Sequence, residues 1–190
     1  MSKRTHVVCL HEGKRNIAGM IRSIDPIFIS AFFRAYNPKW LRTRPRFIEC
    51  GGKAALIKKF PDELKICTAQ GGDTTLIVMA DVDDDFVDCD ALKSKYHDIA
   101  VNAGISEDDF NKVLFVFPKD RIENWIEYLT TGKTDESVEG KRVTSSLAAK
   151  AAKELAHKCL NNKKFTSPMP PSLEWTCKNW KSLLNRMKQT

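Results

Sequence analysis

Four short apolar runs punctuate the chain: Thr5 to Leu10 (THVVCL), Arg46 to Cys50 (RFIEC), Leu76 to Ala80 (LIVMA) and Lys112 to Phe117 (KVLFVF). Each reads as a strand, and Leu76 to Ala80 in particular is too short for a typical helix and suits a buried central strand, which needs no alternation because both faces are covered. Helical periodicity fills the gaps between them. A helix is predicted from about Lys14, with Ile17, Met20, Ile21 and Ile24 on one face and Asp25-Pro26 interrupting it. A second apolar segment, IFISAFFRAY, runs to Tyr36 and stops at Asn37-Pro38. The helix KAALIKKF follows Gly51-Gly52; a polar helix spans roughly Asp90 to Ala103, with Gly104 as its stop and a capping-box-like SEDDF behind it. A further helix begins within PKDRIENWIEYL. Strand and helix alternate four times, which predicts an α/β fold: a mainly parallel four-stranded sheet flanked by helices.

From Thr134 the pattern changes. A polar linker, TDESVEGKR, leads to an Ala/Lys-rich helix from Ser145 to Asn161, then a proline-rich break, SPMPPS, then a last helix from Leu173 to Lys188. Trp175, Cys177, Trp180 and Leu184 are the expected buried positions of that last helix. The chain is thus read as an α/β domain over residues 1–133 and a helical C-terminal extension over 134–190, packed on it or docking a partner.

Charge sharpens this picture. Residues 1–70 carry 14 Lys+Arg against 5 Asp+Glu, residues 71–140 carry 6 against 17, and residues 141–190 carry 11 against 2, a balance of +9, −11 and +9. An acidic centre between basic flanks suits an enzyme that holds metal with carboxylates and a polyanion with Lys and Arg. Clustering of charge on solvated faces is the plainer alternative. The N-terminus has no secretory pattern, and no apolar stretch approaches the length of a membrane span. The six cysteines stand singly, without a CxxC pair or a histidine at zinc spacing. They are expected to be reduced thiols of a cytoplasmic protein.

The candidate chemistry lies at the strand ends. The run LIVMA empties into DVDDD, and in open α/β sheets ligands gather at the C-terminal ends of strands. Asp81 and Asp83 would face the same way in extended chain, about 7 Å apart at their Cα atoms, and form a seat for a hard divalent cation. For Asp84, Asp85 and Asp88 a solvated acidic turn that caps the next helix is the simpler role. The first strand delivers His11-Glu12-Gly13, and strand alternation points His11 away from Glu12, leaving it outside the site. Gly51-Gly52 ahead of a helix offers free N–H groups to a phosphate. The loop NPKWLRTRPR interleaves Trp40 with Lys39, Arg42, Arg44 and Arg46, which either stacks bases and pairs phosphates or pins the loop to the core. Trp125, with Ile122, Ile126 and Leu129 at helical spacing, reads as core.

Glu12-Gly13 directly after the first strand, the DxD of Asp81-Val82-Asp83 after a later apolar strand, and the α/β alternation between them resemble the Toprim family of topoisomerases, primases and related nucleases. The resemblance spans roughly residues 5 to 130. The chain has DVDDD where topoisomerases and primases carry a DPD-like, glycine-bearing motif. It is more similar to the small Toprim-like, OLD-related proteins of bacterial antiphage operons, which often carry a Pro and an I-E-x-W element after a later strand. Phe117-Pro118 and Ile122-Glu123-Asn124-Trp125 stand in that place here.

The resemblance implies a Mg²⁺-dependent (Mn²⁺ possible) nuclease acting on DNA or RNA, an antiphage effector. Asp81 and Asp83 are then metal ligands, Glu12 a ligand or the base for the attacking water, and Asp85 a weaker candidate for the metal or its water shell. Glu123 would serve a second metal position or simply stabilise a helix N-terminus. Lys14, Arg15, Lys53, Lys119 and Arg121 are the expected phosphate contacts. The chain has no GxxxxGK[ST] loop, and the resemblance implies an ABC-like partner ATPase. A catalytically silent nucleic-acid-binding or scaffold subunit is the competing reading.

Overall fold

The computed structural model describes residues 6–13, 23–36, 45–70, 74–160 and 164–188. Its sheet has four strands, β1 (His6–His11), β2 (Arg46–Glu49), β3 (Thr74–Met79) and β4 (Leu114–Val116), in the order β2-β1-β3-β4. Every pairing is parallel. All four strands therefore end at the same edge. The pairing of β3 with β4 continues beyond the strands, where the Val82 N–H donates to Pro118 O at 2.7 Å and the Asp120 N–H to Val82 O at 3.1 Å.

Helices cover both faces, which is why the strands need no polar alternate positions. On one face Val7 and Cys9 of β1, Ile77 and Met79 of β3, and Leu114 and Val116 of β4 pack into one core. It is built with α1 (Ile24–Tyr36), α5 (Ile122–Thr131), α6 (Ser145–Leu160) and α7 (Pro171–Lys188). On the other face Val8, Leu10, Leu76, Val78 and Phe115 meet α2 (Lys53–Ala69), α3 (Cys89–Asn102) and the short α4 (Glu107–Phe110). The stripe Ala148, Ala151, Ala152 and Ala156 lets α6 lie close against the aromatic face of α1. Phe32 of α1 meets Trp180 of α7 edge-on at 4.3 Å.

The expected strands and most helices are present, with informative differences. The predicted helix from Lys14, the expected phosphate contacts Lys14 and Arg15, and the Trp40 loop lie outside the described residues. Asp25-Pro26 does not close a helix but opens α1, where a proline in the first turn costs no hydrogen bond. α2 runs on past Phe60 through Pro61 to Ala69, carried by the buried stripe Leu56, Phe60, Leu64 and Cys67. Asp88 caps α3, its Oδ1 accepting from the Ala91 N–H at 2.8 Å, and Ser106 caps α4 through the Asp109 N–H at 3.2 Å. All six cysteines are free thiols. In α7, Trp180 is buried as expected, whereas Trp175 and Cys177 are only half-buried. Among the described residues no helix is long and apolar enough to cross a membrane.

Candidate functional site

The sheet order places β1 between β2 and β3, so the chain runs outward from β1 to β2 and then crosses back past β1 to β3; ligands of such sheets bind in the crevice beyond the strand ends where the order reverses. Glu12 follows β1 and Asp81 follows β3 across that crevice. Glu12 Oε1 accepts the Asp81 backbone N–H at 3.1 Å, which joins two motifs 69 residues apart. Burial is the largest influence raising the Glu12 carboxyl above its usual range, with the Asp83 charge adding to it; Lys53 and the Asp81 N–H pull the other way.

Asp81 is the most perturbed acid of the group. Burial, then the charges of Asp25, Glu12 and Asp83, push it up to about 9 against the pull of Lys53. Asp25, in the first turn of α1, is pushed up to about 7 by burial and by the charge of Glu123, with a hydrogen bond from the Ser23 hydroxyl opposing. Burial also raises Glu123 at the start of α5, against the influence of Arg121. Asp81 thus senses Asp25 and Glu12, and Asp25 senses Glu123 and Glu12, each carboxyl being partly withdrawn from the water that would stabilise its charge.

Asp83 is different. It is exposed and forms an ion pair with Lys53, the first residue of α2. The Lys53 ammonium also lies 5.7 Å from the centre of the Phe86 ring. β2 and Cys50 are followed by Gly51-Gly52, whose φ angles of 81° and 137° suit glycine and turn the chain into Lys53 at the start of α2. Asp84 and Asp85 are exposed in the turn that follows, and Asp88 is committed to capping α3.

The loop after β4 completes the edge. Lys119 is half-buried and bridges to Val82 through its backbone. Asp120 has a positive φ of 59°, and its Oδ2 accepts the Gly140 N–H at 3.2 Å. Arg121 is ion-paired to Glu139. Of the expected phosphate contacts described, Lys53 and Arg121 are thus already engaged with carboxylates.

Two residues near the cluster were not legible as site residues. Asp25 is brought to the crevice only by the packing of α1; the one local signal is a lone acid heading an otherwise apolar helix. Strand alternation points His11 away from Glu12, and its ring lies on the α1 side of the sheet, 3.9 Å from Asp25 Oδ2 through Nδ1. It is fully buried, and among the described residues neither ring nitrogen has a hydrogen-bond partner. Burial lowers its tendency to take a proton, with Glu49 opposing.

Among the described residues no three His, Cys, Asp or Glu side chains converge closely enough to cage a metal ion. Mg²⁺ does not require a cage. It is ordinarily held by one or two carboxylates and keeps several waters. The donor set here is all-oxygen at Glu12 and Asp81, and these mutually repelling acids fit such an ion. No family model, curated protein or solved structure matches the chain.

Proposed function

We propose that the protein is a divalent-metal-dependent nuclease that hydrolyses phosphodiester bonds of DNA or RNA at the carboxyl edge of its sheet. The observation that carries this reading is the hydrogen bond between Glu12 and the Asp81 backbone, which holds the Glu-Gly and DxD stretches together among desolvated carboxyl groups. Glu12 and Asp81 are the residues that would hold Mg²⁺ or Mn²⁺, with Asp83 joining when released from Lys53. A metal bound there would supply charge neutralisation at the phosphate and a more acidic water. Glu12 would act either as a ligand of that metal or as the base that accepts a proton from that water. Lys53 and Lys119 flank the crevice and would hold the phosphate backbone, Lys53 by exchanging its Asp83 partner for a phosphate.

The resemblance to small Toprim-like proteins extends the proposal to an antiphage effector in the cytoplasm restrained by a partner ATPase. A second reading has its own support. The Lys53 ammonium sits on Asp83, where a cation would be needed, and this suits a catalytically silent nucleic-acid-binding subunit.

The test is cleavage of plasmid, single-stranded DNA and total tRNA by the purified chain with Mg²⁺, Mn²⁺ or EDTA. Cutting that requires metal and falls by about a thousandfold or more in Glu12→Gln and Asp81→Asn is expected, comparable to loss of a major transition-state interaction. Activity that is indifferent to EDTA and to Asp81→Asn would overturn the reading. If the isolated chain is silent, co-expression with the gene next to it is the deciding arm: growth arrest that needs Asp81 supports the enzyme, and arrest independent of Asp81 or no arrest supports the scaffold.

A further inference from the structure

Where β3 and β4 run out beside α7, the surface holds an open cavity of about 380 Å³, within the roughly 300–1,000 Å³ of small-ligand clefts. Its lining is mostly apolar. Val82 and Lys119 form the side nearest the crevice, and their backbones are bridged to each other. Val82 stands between Asp81 and Asp83, so the cavity adjoins the stretch that carries both acids. Trp175 forms the opposite wall from α7. Phe117 stacks on its ring with centres 5.4 Å apart and planes 17° apart, and its Nε1 donates to Asp90 Oδ1 at 2.8 Å. The indole is thereby fixed in its plane, so a ligand resting on it would order little side chain on arrival. It nevertheless remains half-buried, and Val87 of the same lining is 92% exposed. Both are apolar surface that the fold itself leaves uncovered.

The charges around the cavity narrow its occupant. Asp88, Asp90 and Glu136 line it, against the one ammonium of Lys119. An anion is repelled from such an interior. The carboxylates are held ready as acceptors. Glu136 Oε1 accepts the Ser172 hydroxyl and its Oε2 accepts the Ser172 N–H at 3.3 Å, and each oxygen has a second lone pair to offer. The ligand that fits is uncharged and flat, with apolar faces for the indole and N–H donors along an edge. A phosphate attached to it would stay outside, at Lys119. A nucleobase of a polynucleotide has this chemistry, and a base taken out of its stack is read through its edge and its faces in this way.

We propose that this cavity takes one unstacked nucleobase of the nucleic acid bound at the sheet edge, guanine before the others, with its ring on Trp175, its edge on Glu136 and its phosphate on Lys119. The inference rests on the reading of that edge as a nucleic-acid site and adds a base preference to it. Guanine is favoured because its Watson–Crick edge sets two N–H donors side by side, which match the two oxygens of one carboxylate. Uracil and thymine bring a single N–H flanked by carbonyl oxygens, which the three carboxylates would repel.

The full chain, ¹⁵N-labelled at tryptophan and kept in EDTA so that no metal-dependent cleavage intervenes, is titrated with GMP, UMP and ribose 5-phosphate while its indole N–H signals are followed by NMR. The Trp175 signal is identified by its loss in Trp175→Phe and, independently, by its displacement in Asp90→Asn, a change at an exposed position. GMP should move that signal at a concentration about tenfold or more below that required of ribose 5-phosphate, the effect of one stacked base. GMP should also act below UMP, and Glu136→Gln should remove most of that difference. Equal action of GMP and ribose 5-phosphate would reduce the site to a phosphate contact and overturn the base pocket, as would a Trp175 signal that GMP leaves unmoved. Equal action of GMP and UMP would overturn the assignment of guanine. The nuclease reading is judged separately, by metal-dependent cleavage: a GMP-selective Trp175 signal in a chain that cuts nothing would keep the pocket and favour the nucleic-acid-binding subunit.

Discussion

Asp81 is held at the end of β3 at a cost in stability that depends on pH. Its carboxyl is pushed up to about 9 and that of its neighbour Asp25 to about 7, burial being the first cause for each. An acid whose folded-state pKa is raised holds its proton more tightly in the folded chain. The stability this gives is complete below the unfolded value near 4 and is lost as pH rises toward the folded values, with a slope of about 1.4 kcal/mol per pH unit for each proton concerned. In EDTA the protein should therefore melt at a lower temperature at pH 9 than at pH 6. Asp81→Asn should raise the pH 9 melting temperature by about 5 °C or more and leave that at pH 4 nearly unchanged. A thermal melt series with and without EDTA checks this; equal melting of the two proteins at pH 9 would mean that Asp81 is not under strain. Glu12 and Asp81 were legible because each directly follows an apolar run. Asp25 and His11 were not, since their meeting depends on how α1 packs over β1, and no local spacing records that.

The elements show which local rules yielded. Pro61 removes one hydrogen bond from α2, yet the helix persists because Leu64 and Cys67 extend its buried stripe beyond the proline. The burial of those two side chains outweighs the break that composition alone suggests. The polar segment after Thr134 reads from its sequence as a linker, and it is in fact fastened across the start of α5. Asn124 Nδ2 donates to Val138 O at 3.2 Å, and the Gly140 N–H donates to Asp120. Gly140 is buried, and a Cβ there would come within 2.9 Å of the Glu123 Cβ and 3.1 Å of the Asn124 backbone nitrogen. Neither neighbour can retreat without shifting α5. Gly140→Ala should cost roughly 1–3 kcal/mol, the usual range for overpacking, whereas Lys141→Ala on the exposed side of the same segment should change little. Urea denaturation of the two variants tests this. If the alanine at 140 were tolerated, the segment would be a loose connection and would not help to position Glu123.

At the scale of the molecule, the boundary drawn after residue 133 divides the sequence by composition but cuts through one core. α6 and α7 supply Leu155, Ala156, Leu173 and Trp180 to the same cluster as Ile77, Val116 and Trp125. They also satisfy groups that the α/β part leaves open. Trp125 Nε1 donates to Ser172 Oγ at 2.7 Å, the Phe117 N–H to Thr176 Oγ1 at 3.4 Å, and Trp175 stacks on Phe117 with ring centres 5.4 Å apart. Burying one large apolar side chain contributes about 1.5–3 kcal/mol. Loss of Leu155, Leu173 and Trp180 alone therefore approaches the total stability of roughly 5–15 kcal/mol expected of a domain. A fragment of residues 1–133 should retain helical far-ultraviolet signal, lose near-ultraviolet signal from its aromatic side chains, and bind a hydrophobic dye. The full chain should unfold in one transition followed equally by both signals. A fragment that melts cooperatively with intact aromatic signal would make the last two helices an appendage, free to be given over to a partner. A fragment that does not would mean that any partner must approach α6 and α7 from their outer faces, because their inner faces hold the sheet that carries Glu12 and Asp81.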